Sequence, residues 1–331
     1  MKKLRIINLY LILLGCVGII ATTLRTYALL TSFNNITMHF DNKVAITVGG
    51  ALVGVLAVAF LGYLFFGEKE KELIARTDNP ASYIPAGIVS AAMLFMAAER
   101  FTNKQFSYSS ELVGPISTIC ALLAILSIGA FFLSILIQKN DNLYKAAFTL
   151  CIVFFLAFYS TYLYFNKSVH PTNSPNKVVD QMAYLFAGVF FLYEARIYLG
   201  RARWRPYVAF GLVSTLLAAY SSIPSLITYL VNGYVVSDSI IESVLTLAIG
   251  LYICSKVIQT RKLTPNAECE AAKNIKAMAA IRQDEIEAQR KLAHAHINNM
   301  VENEKTEDAS NYTFDIPMAE TTTDFTNEDD M

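Results

Sequence analysis

Residues 44–66 read VAITVGGALVGVLAVAFLGYLFF and contain no charged side chain. A helix needs about 20 apolar residues to cross the hydrocarbon core of a bilayer, so this stretch alone is long enough to span a membrane. Seven other stretches have comparable length and polarity: 6–25, 83–101, 113–137, 146–165, 181–200, 207–231 and 239–258. The sequence therefore predicts an all-α fold, a polytopic membrane bundle of about eight transmembrane helices within residues 1–260.

The composition favours the same class and excludes several functions. Apolar residues make up 54% of the chain and charged residues 16%, which is typical of a multi-pass membrane protein rather than a soluble domain. The sequence has no phosphate-binding Gly-rich loop ending in Gly-Lys-Ser/Thr, no His-Glu-x-x-His helix and no Gly-x-Ser-x-Gly turn. The four histidines are too scattered to predict a metal site. We therefore expect no metal, no cofactor and no nucleic-acid partner, and an enzyme is the least favoured class.

Basic residues are concentrated in alternate loops, and this pattern predicts the orientation. They lie before the first stretch and after the second, fourth, sixth and eighth, at Lys2, Lys3, Arg5, Lys69, Lys71, Arg76, Lys139, Lys145, Arg201, Arg203, Arg205, Lys256, Arg261 and Lys262. Because loops rich in Lys and Arg stay on the cytoplasmic side, both termini are predicted to be cytoplasmic. The expected location is the plasma membrane, with membrane lipids as partners.

The first apolar stretch has a second interpretation. Met1 to Cys16 begins with basic residues and ends in Leu-Leu-Gly-Cys, the pattern of a lipoprotein signal. A lipidated cysteine is followed by a polar tether, whereas here Val17 to Ala21 continue the apolar stretch. An uncleaved first helix is therefore favoured, and lipidation of Cys16 stays open.

Beyond residue 260 the composition becomes polar. Thr264 and Pro265 form a typical helix start, and the Ala-, Glu- and Lys-rich segment that follows predicts a cytoplasmic helix over 261–301. From 302 to 331 acidic residues dominate, with Lys305 the only cation, which predicts a disordered acidic tail. Residues 264–331 either bind a cytoplasmic protein partner or remain solvated.

Ionisable residues at membrane depth are costly and therefore indicate function. Asp238 and Glu242 are one helical turn apart at the start of the eighth stretch, so they share a face. Arg25, Glu99 and Arg100 fall at a similar depth on the same side of the predicted topology. The sequence predicts a charged ligand-binding cluster there, and the alternative is that these side chains only reach the membrane interface.

A second candidate lies near the inner end of the sixth stretch. Arg196 is long enough to reach the lipid headgroups, whereas Glu194 is short and should be protonated or paired with a basic residue of a neighbouring helix. Glu194 and Arg196 are interpreted as part of a ligand site. The alternative is that Glu194 forms a structural ion pair with a neighbouring helix and so ties helix ends together.

A third candidate is the segment Tyr220-Ser221-Ser222-Ile223-Pro224 in the seventh stretch. Pro224 has no N–H to donate to the carbonyl of Tyr220, so one backbone acceptor should be freed inside the membrane. Transporters often build binding sites from such interrupted helices. The hydroxyls of Ser221 and Ser222 could equally satisfy the backbone locally.

Three function classes remain. The first is a transporter or a membrane protein that binds a small ligand or lipid, acting through these three groups of residues. The second is a membrane scaffold, sensor or accessory subunit that uses residues 264–331. The third, an intramembrane enzyme acting through Glu194 and Arg196, has no recognisable catalytic pairing to support it.

Overall fold

The computed structural model describes residues 6–34, 39–67, 82–102, 113–136, 143–166, 175–199, 203–234, 236, 239–260, 282–292 and 294. Within these ranges the chain forms α1 (Ile6–Thr31), α2 (Val44–Phe66), α3 (Tyr83–Thr102), α4 (Val113–Leu136), α5 (Leu143–Phe165), α6 (Pro175–Tyr198), α7 (Trp204–Asn232) and α8 (Ile240–Gln259). A short antiparallel hairpin, β1 (Phe33–Asn34) and β2 (His39–Phe40), lies between α1 and α2. The predicted all-α helix bundle is confirmed.

All eight long helices are apolar enough to cross a membrane. Large apolar side chains such as Val55, Phe65 and Leu94 are exposed on the outer surface of the bundle. An exposed apolar surface of this kind is unfavourable in water and is satisfied by lipid chains. The architecture is that of a multi-pass membrane protein.

Two helices form the centre of the bundle. Helix α7 packs against α1, α2, α6 and α8, and α8 also packs against α3. In the most apolar part of α7 and α8, 67% and 61% of the residues are buried, compared with 17% and 22% in α1 and α2. Polar groups on α7 and α8 therefore face protein rather than lipid.

Glycines allow α7 and α8 to approach closely. A Cβ added to Gly250 would lie 2.6 Å from the Cβ of Ala218, and one added to Gly211 would lie 2.5 Å from a methyl of Val257. The sequence pattern of Gly50 and Gly54 predicts a close contact of α2, but both residues are exposed. The pattern identified the wrong face of α2, because the buried glycine there is Gly49.

Several helices extend beyond the predicted stretches. Helix α1 continues past Arg25 to Thr31, α5 begins before Lys145, and α6 begins at Pro175 rather than 181. The predicted bounds stopped at charged residues because these were expected in loops. In the structure Arg25, Lys145, Lys177 and Asp180 are instead buried within helices.

The chain divides into two compact units, Met1–Glu268 and Cys269–Met331. In the second unit residues 282–292 and 294 are described, and they are helical with exposed side chains. This agrees with the helix predicted over 261–301, and the predicted tail at 302–331 lies outside the described residues. The proposed domain boundaries at 260 and 301 stay predictions.

Candidate functional site

Arg25 satisfies the carbonyl that Pro224 leaves without a helical donor. Its side chain is only 1% exposed, and Nη1 donates a hydrogen bond of 3.0 Å to the carbonyl oxygen of Tyr220. The guanidinium also lies over the Tyr220 ring, with Cζ 4.8 Å from the ring centre. Helix α7 continues through Pro224, so the missing N–H of this proline is replaced by a charged donor from α1.

The other terminal nitrogen of Arg25 reaches the first turn of α6. Nη2 donates to Oδ1 of Asn176 at 3.0 Å. Asp180, one turn further along α6, interacts electrostatically with Arg25 and accepts a hydrogen bond from the Ser221 hydroxyl. These contacts join α1, α6 and α7 at one depth in the bundle.

One more turn along α6, Tyr184 reaches the buried carboxylate of Glu242 on α8. The tyrosine hydroxyl donates to Oε1 at 3.4 Å and shares a 2.6 Å hydrogen bond with the Thr246 hydroxyl. Glu242 is 2% exposed, and its backbone N–H donates to the side chain of Ser239, the N-cap of α8. Glu242 lies in the first turn of α8, where the helix dipole favours a carboxylate, and its burial places the side chain inside the bundle.

Arg100 on α3 extends this polar region to α4 and α5. Its Nη1 donates to Ser117 at 3.1 Å and its Nη2 donates to the hydroxyl of Tyr159 at 3.2 Å. The guanidinium lies 4.0 Å from the ring centre of Tyr162. Tyr159 packs edge-on against Tyr184, with the two ring centres 5.0 Å apart. The residues that contact Arg100 are therefore in contact with α6, the helix that also contacts Arg25.

We call this set of residues the Arg25–Glu242 network. Its members are Arg25, Arg100, Tyr159, Asn176, Asp180, Tyr184, Tyr220, Ser221, Glu242 and Thr246. Of the predicted charged cluster, Arg25, Arg100 and Glu242 belong to the network, with α6 between Arg25 and Glu242. Glu99 is half-buried at the end of α3, where its carbonyl accepts from Thr102. Asp238 lies outside the described residues.

The hydroxyls next to Pro224 differ in what they contact. Ser222 donates to the carbonyl of Ala218 and Ser225 donates to that of Ser221, so both satisfy the backbone of their own helix. Ser221 instead donates across the bundle to Asp180. The structure thus gives Ser222 the local role that the sequence left open, and gives Ser221 a contact between helices. That these residues bind a ligand stays a prediction.

A second buried polar group lies further along α6 and α8, and we call it the Glu194–Lys256 cluster. Glu194 is 1% exposed, and its Oε1 lies 3.7 Å from the Lys256 ammonium. The hydroxyls of Tyr198 and Tyr252 each donate to the same oxygen at 3.1 Å. Lys256 is therefore the basic partner that the sequence predicted for Glu194 on a neighbouring helix.

Arg196 and Lys145 lie close to this cluster in different ways. Arg196 is half-buried, and its guanidinium lies 5.8 Å from the ring centre of Tyr193. Lys145 is buried in the first turn of α5, with its ammonium 5.6 Å from the ring centre of Tyr198. Arg196 and Glu194, which the sequence grouped as one candidate, do not form an ion pair with each other.

The two polar groups occupy two depths of the same pair of helices. Asp180 and Glu194 are fourteen residues apart on α6, and Glu242 and Lys256 are fourteen residues apart on α8. At 1.5 Å per residue this spacing corresponds to roughly 21 Å along a helix axis. The α6 to α8 hydrogen bonds at both depths show that the two helices run side by side in the same direction.

Sequence reasoning missed Asn176, Asp180 and Tyr184, which connect the network. They are spaced four residues apart, so they lie along one face of α6. This spacing was readable in the sequence, but the predicted span began at 181 and left the first two in a loop. Lys256 was interpreted as a topology signal, although its four-residue spacing from Tyr252 is typical of a shared helix face.

A crevice of about 400 Å³ lies between α1 and α7, beside the network. Apolar side chains and glycines such as Leu14, Gly18 and Ile223 form most of its lining. The hydroxyls of Thr22 and Thr215 in its wall donate to carbonyls of their own helices. The crevice is thus chemically suited to hydrocarbon rather than to a polar solute.

Among the described residues, no group of three or more His, Cys, Asp or Glu side chains is arranged to hold a metal ion. Comparison with family models, with curated proteins and with solved structures finds no match to this chain.

Proposed function

We propose that this multi-pass membrane protein binds a small polar solute at the Arg25–Glu242 network and transports it across the membrane. The observation that carries the proposal is the buried bond from Arg25 to the carbonyl of Tyr220. An arginine costs about 2.5–3.5 kcal/mol at the centre of a membrane helix on insertion scales, and Arg25, which is buried before the last turn of α1, bears part of that cost. A chain that only needed to close the gap at Pro224 could use a serine or threonine hydroxyl without that cost.

Arg25 could exchange its present hydrogen bonds for hydrogen bonds to a bound solute. Tyr220 and Asn176 offer neutral oxygen acceptors rather than a direct carboxylate partner. A hydrogen bond from a charged donor contributes about 1.5–3 kcal/mol net, an amount that an incoming solute can replace with its own acceptor. Asp180 on α6 and Glu242 on α8 add buried acceptors, so a solute with several polar groups would meet partners from α1, α6, α7 and α8.

The second polar group supplies the other end of a transport path in this proposal. The Glu194–Lys256 cluster would close the bundle roughly 21 Å further along α6 and α8. Transporters commonly expose one site to the two sides of the membrane in turn by rocking helices around it. From the distribution of basic loops, we propose that the network faces outward and that both termini are cytoplasmic in the plasma membrane. Lipid chains would occupy the apolar crevice between α1 and α7.

Native mass spectrometry of the full-length protein, extracted gently from its own membrane, tests this function. We expect a retained small molecule that survives removal of residues 264–331 and is lost with Glu242→Gln. The substitution keeps the side-chain shape and removes only the charge, and an equivalent change at exposed Glu285 is the matched control. The absence of any retained small molecule from the wild-type protein would contradict the proposal.

The exposed helix over 282–292 favours one alternative, an accessory or signalling subunit. Ile286 and Leu292 are apolar residues on this helix and are 47% and 70% exposed. These exposed apolar side chains are available for contact with a protein partner. In the same experiment, a protein partner that disappears with residues 264–331 would support this alternative.

A further inference from the structure

Around Arg25, two buried hydrogen-bond donors of the network have no acceptor within the part of the chain that the structure describes. They are Nε of Arg25 and Nδ2 of Asn176, and both side chains are 1% exposed. A buried donor without a partner costs about 1–3 kcal/mol, more when it belongs to a charged group. Two such donors on neighbouring side chains indicate that something else accepts from them.

The orientation of both donors is determined by the bond between the two side chains. Arginine can only donate, so the atom of Asn176 that faces Nη2 must be the oxygen, and Nδ2 is the free end of the amide. The Nε–H of a guanidinium lies on the same edge as Nη2. Arg25 and Asn176 therefore each have an unused donor next to the bond that joins them.

We propose that these two donors bind the carboxylate of the transported solute, an inference that depends on the proposed function. A carboxylate has two oxygens that each accept hydrogen bonds, and the Nε edge of arginine is the usual place where it binds. The arginine charge makes an anionic acceptor more favourable than a neutral one. The solute class is thus a small carboxylic acid in its ionised form.

Asp180 places a negative charge beside the proposed carboxylate site. Its carboxylate interacts electrostatically with Arg25, so it competes with an incoming carboxylate for the same positive charge. Removing the charge of Asp180 should strengthen carboxylate binding, and adding a negative charge at Asn176 should weaken it. A purely structural role for these residues gives no reason for opposite effects.

The test is the thermal stability of the full-length protein in detergent, titrated with acetate in place of chloride at constant ionic strength. We expect acetate to raise Tm, and neutral acetamide and inorganic phosphate to raise it less. Asn176→Asp retains the oxygen that accepts from Nη2 but removes the free donor, and it should weaken acetate binding by about tenfold or more. Asp180→Asn still accepts from Ser221 and should strengthen binding.

Asn232→Asp makes the same chemical change at an exposed position of α7 and should leave the acetate response unchanged. An acetate response no larger than that of acetamide would mean that water alone satisfies the two donors, and would overturn the inference. A larger response to phosphate, or an unaltered response in Asn176→Asp, would overturn it as well.

Failure here is distinguishable from failure of the proposed function. A retained small molecule that contains no carboxylate would refute the carboxylate site and leave the transporter proposal in place. The lack of any retained small molecule would contradict the transporter proposal itself.

Discussion

The bond between Arg25 and the carbonyl of Tyr220 predicts energetic coupling between Arg25 and Pro224. In the wild-type protein, Arg25→Met removes the side-chain donor that the structure gives this carbonyl. In a Pro224→Ala background the N–H of residue 224 can donate to the carbonyl four residues earlier, as in any helix. The loss of Arg25 should then cost less.

The magnitude follows from that single carbonyl. A buried acceptor left without a partner costs about 1–3 kcal/mol, so the loss in unfolding free energy caused by Arg25→Met should be smaller by about this amount in the Pro224→Ala background. The comparison is a double-mutant cycle, in which the other contacts of Arg25 cancel. Equilibrium unfolding in mixed micelles measures it, with fluorescence of Trp204, the single tryptophan, as the signal.

Two matched variants test whether the coupling is specific. Pro206 lies in the first turn of α7, where a missing N–H leaves no helical bond unmade, so Pro206→Ala should not alter the cost of Arg25→Met. Arg100→Met should cost the same with or without Pro224. A coupling energy between Arg25 and Pro224 within about 0.5 kcal/mol of zero would refute the account of this bond.

Three further predictions concern packing and the two polar groups. Gly250→Ala should destabilise the protein by about 1–3 kcal/mol, and Ala218→Gly should restore most of the loss, because the two Cβ atoms would be only 2.6 Å apart. Glu194→Leu should cost about 3–5 kcal/mol, and adding Lys256→Leu should recover at least half, because a buried charge without its partner is worse than an apolar pair. Tyr184→Phe should cost about 1–3 kcal/mol, because it removes hydrogen bonds to α8. Chemical unfolding with CD detection measures all three.

Each of these predictions has a result that would contradict it. For the packing pair, Gly54→Ala is the control: a Cβ there meets no atom within 4 Å, so this change should be neutral or stabilising by up to about 1 kcal/mol. Equal costs at Gly54 and Gly250 would disprove the close contact of α7 with α8. For the Glu194–Lys256 cluster, a double variant less stable than Glu194→Leu alone would disprove the pairing. An unchanged stability in Tyr184→Phe would remove Tyr184 from the network.

The number and approximate position of the helices were predictable because transmembrane stretches are set by local composition. The bounds failed where polar residues enter a helix. Asn176, Lys177 and Asp180 resemble a loop in sequence, yet they are buried in α6, where each contacts a group on another part of the bundle. Lys177, for example, donates to the carbonyls at the end of α5. These partners belong to other helices, so the local composition does not reveal them.

For the candidate site, too, only relations within a single helix were predictable from the sequence. Loss of the helical donor to Tyr220 follows from the position of Pro224 four residues later, a relation within one helix. The replacement donor, Arg25, is 195 residues away, and only the packing of α1 against α7 identifies it. Similarly, the depth of Glu242 in its predicted stretch made it a candidate site residue, but its contact with Tyr184 on α6 depends on the fold.

The most direct test of the central claim is whether water reaches the Arg25–Glu242 network during function. In a background in which the five natural cysteines are replaced, Ser221→Cys would be treated in intact cells with a membrane-impermeant thiol reagent. Ser214→Cys, fully buried on the same helix and outside the network, is the control. The account predicts labelling of position 221 from outside and none at 214. Equal inertness at both positions, from either side of the membrane, would contradict it.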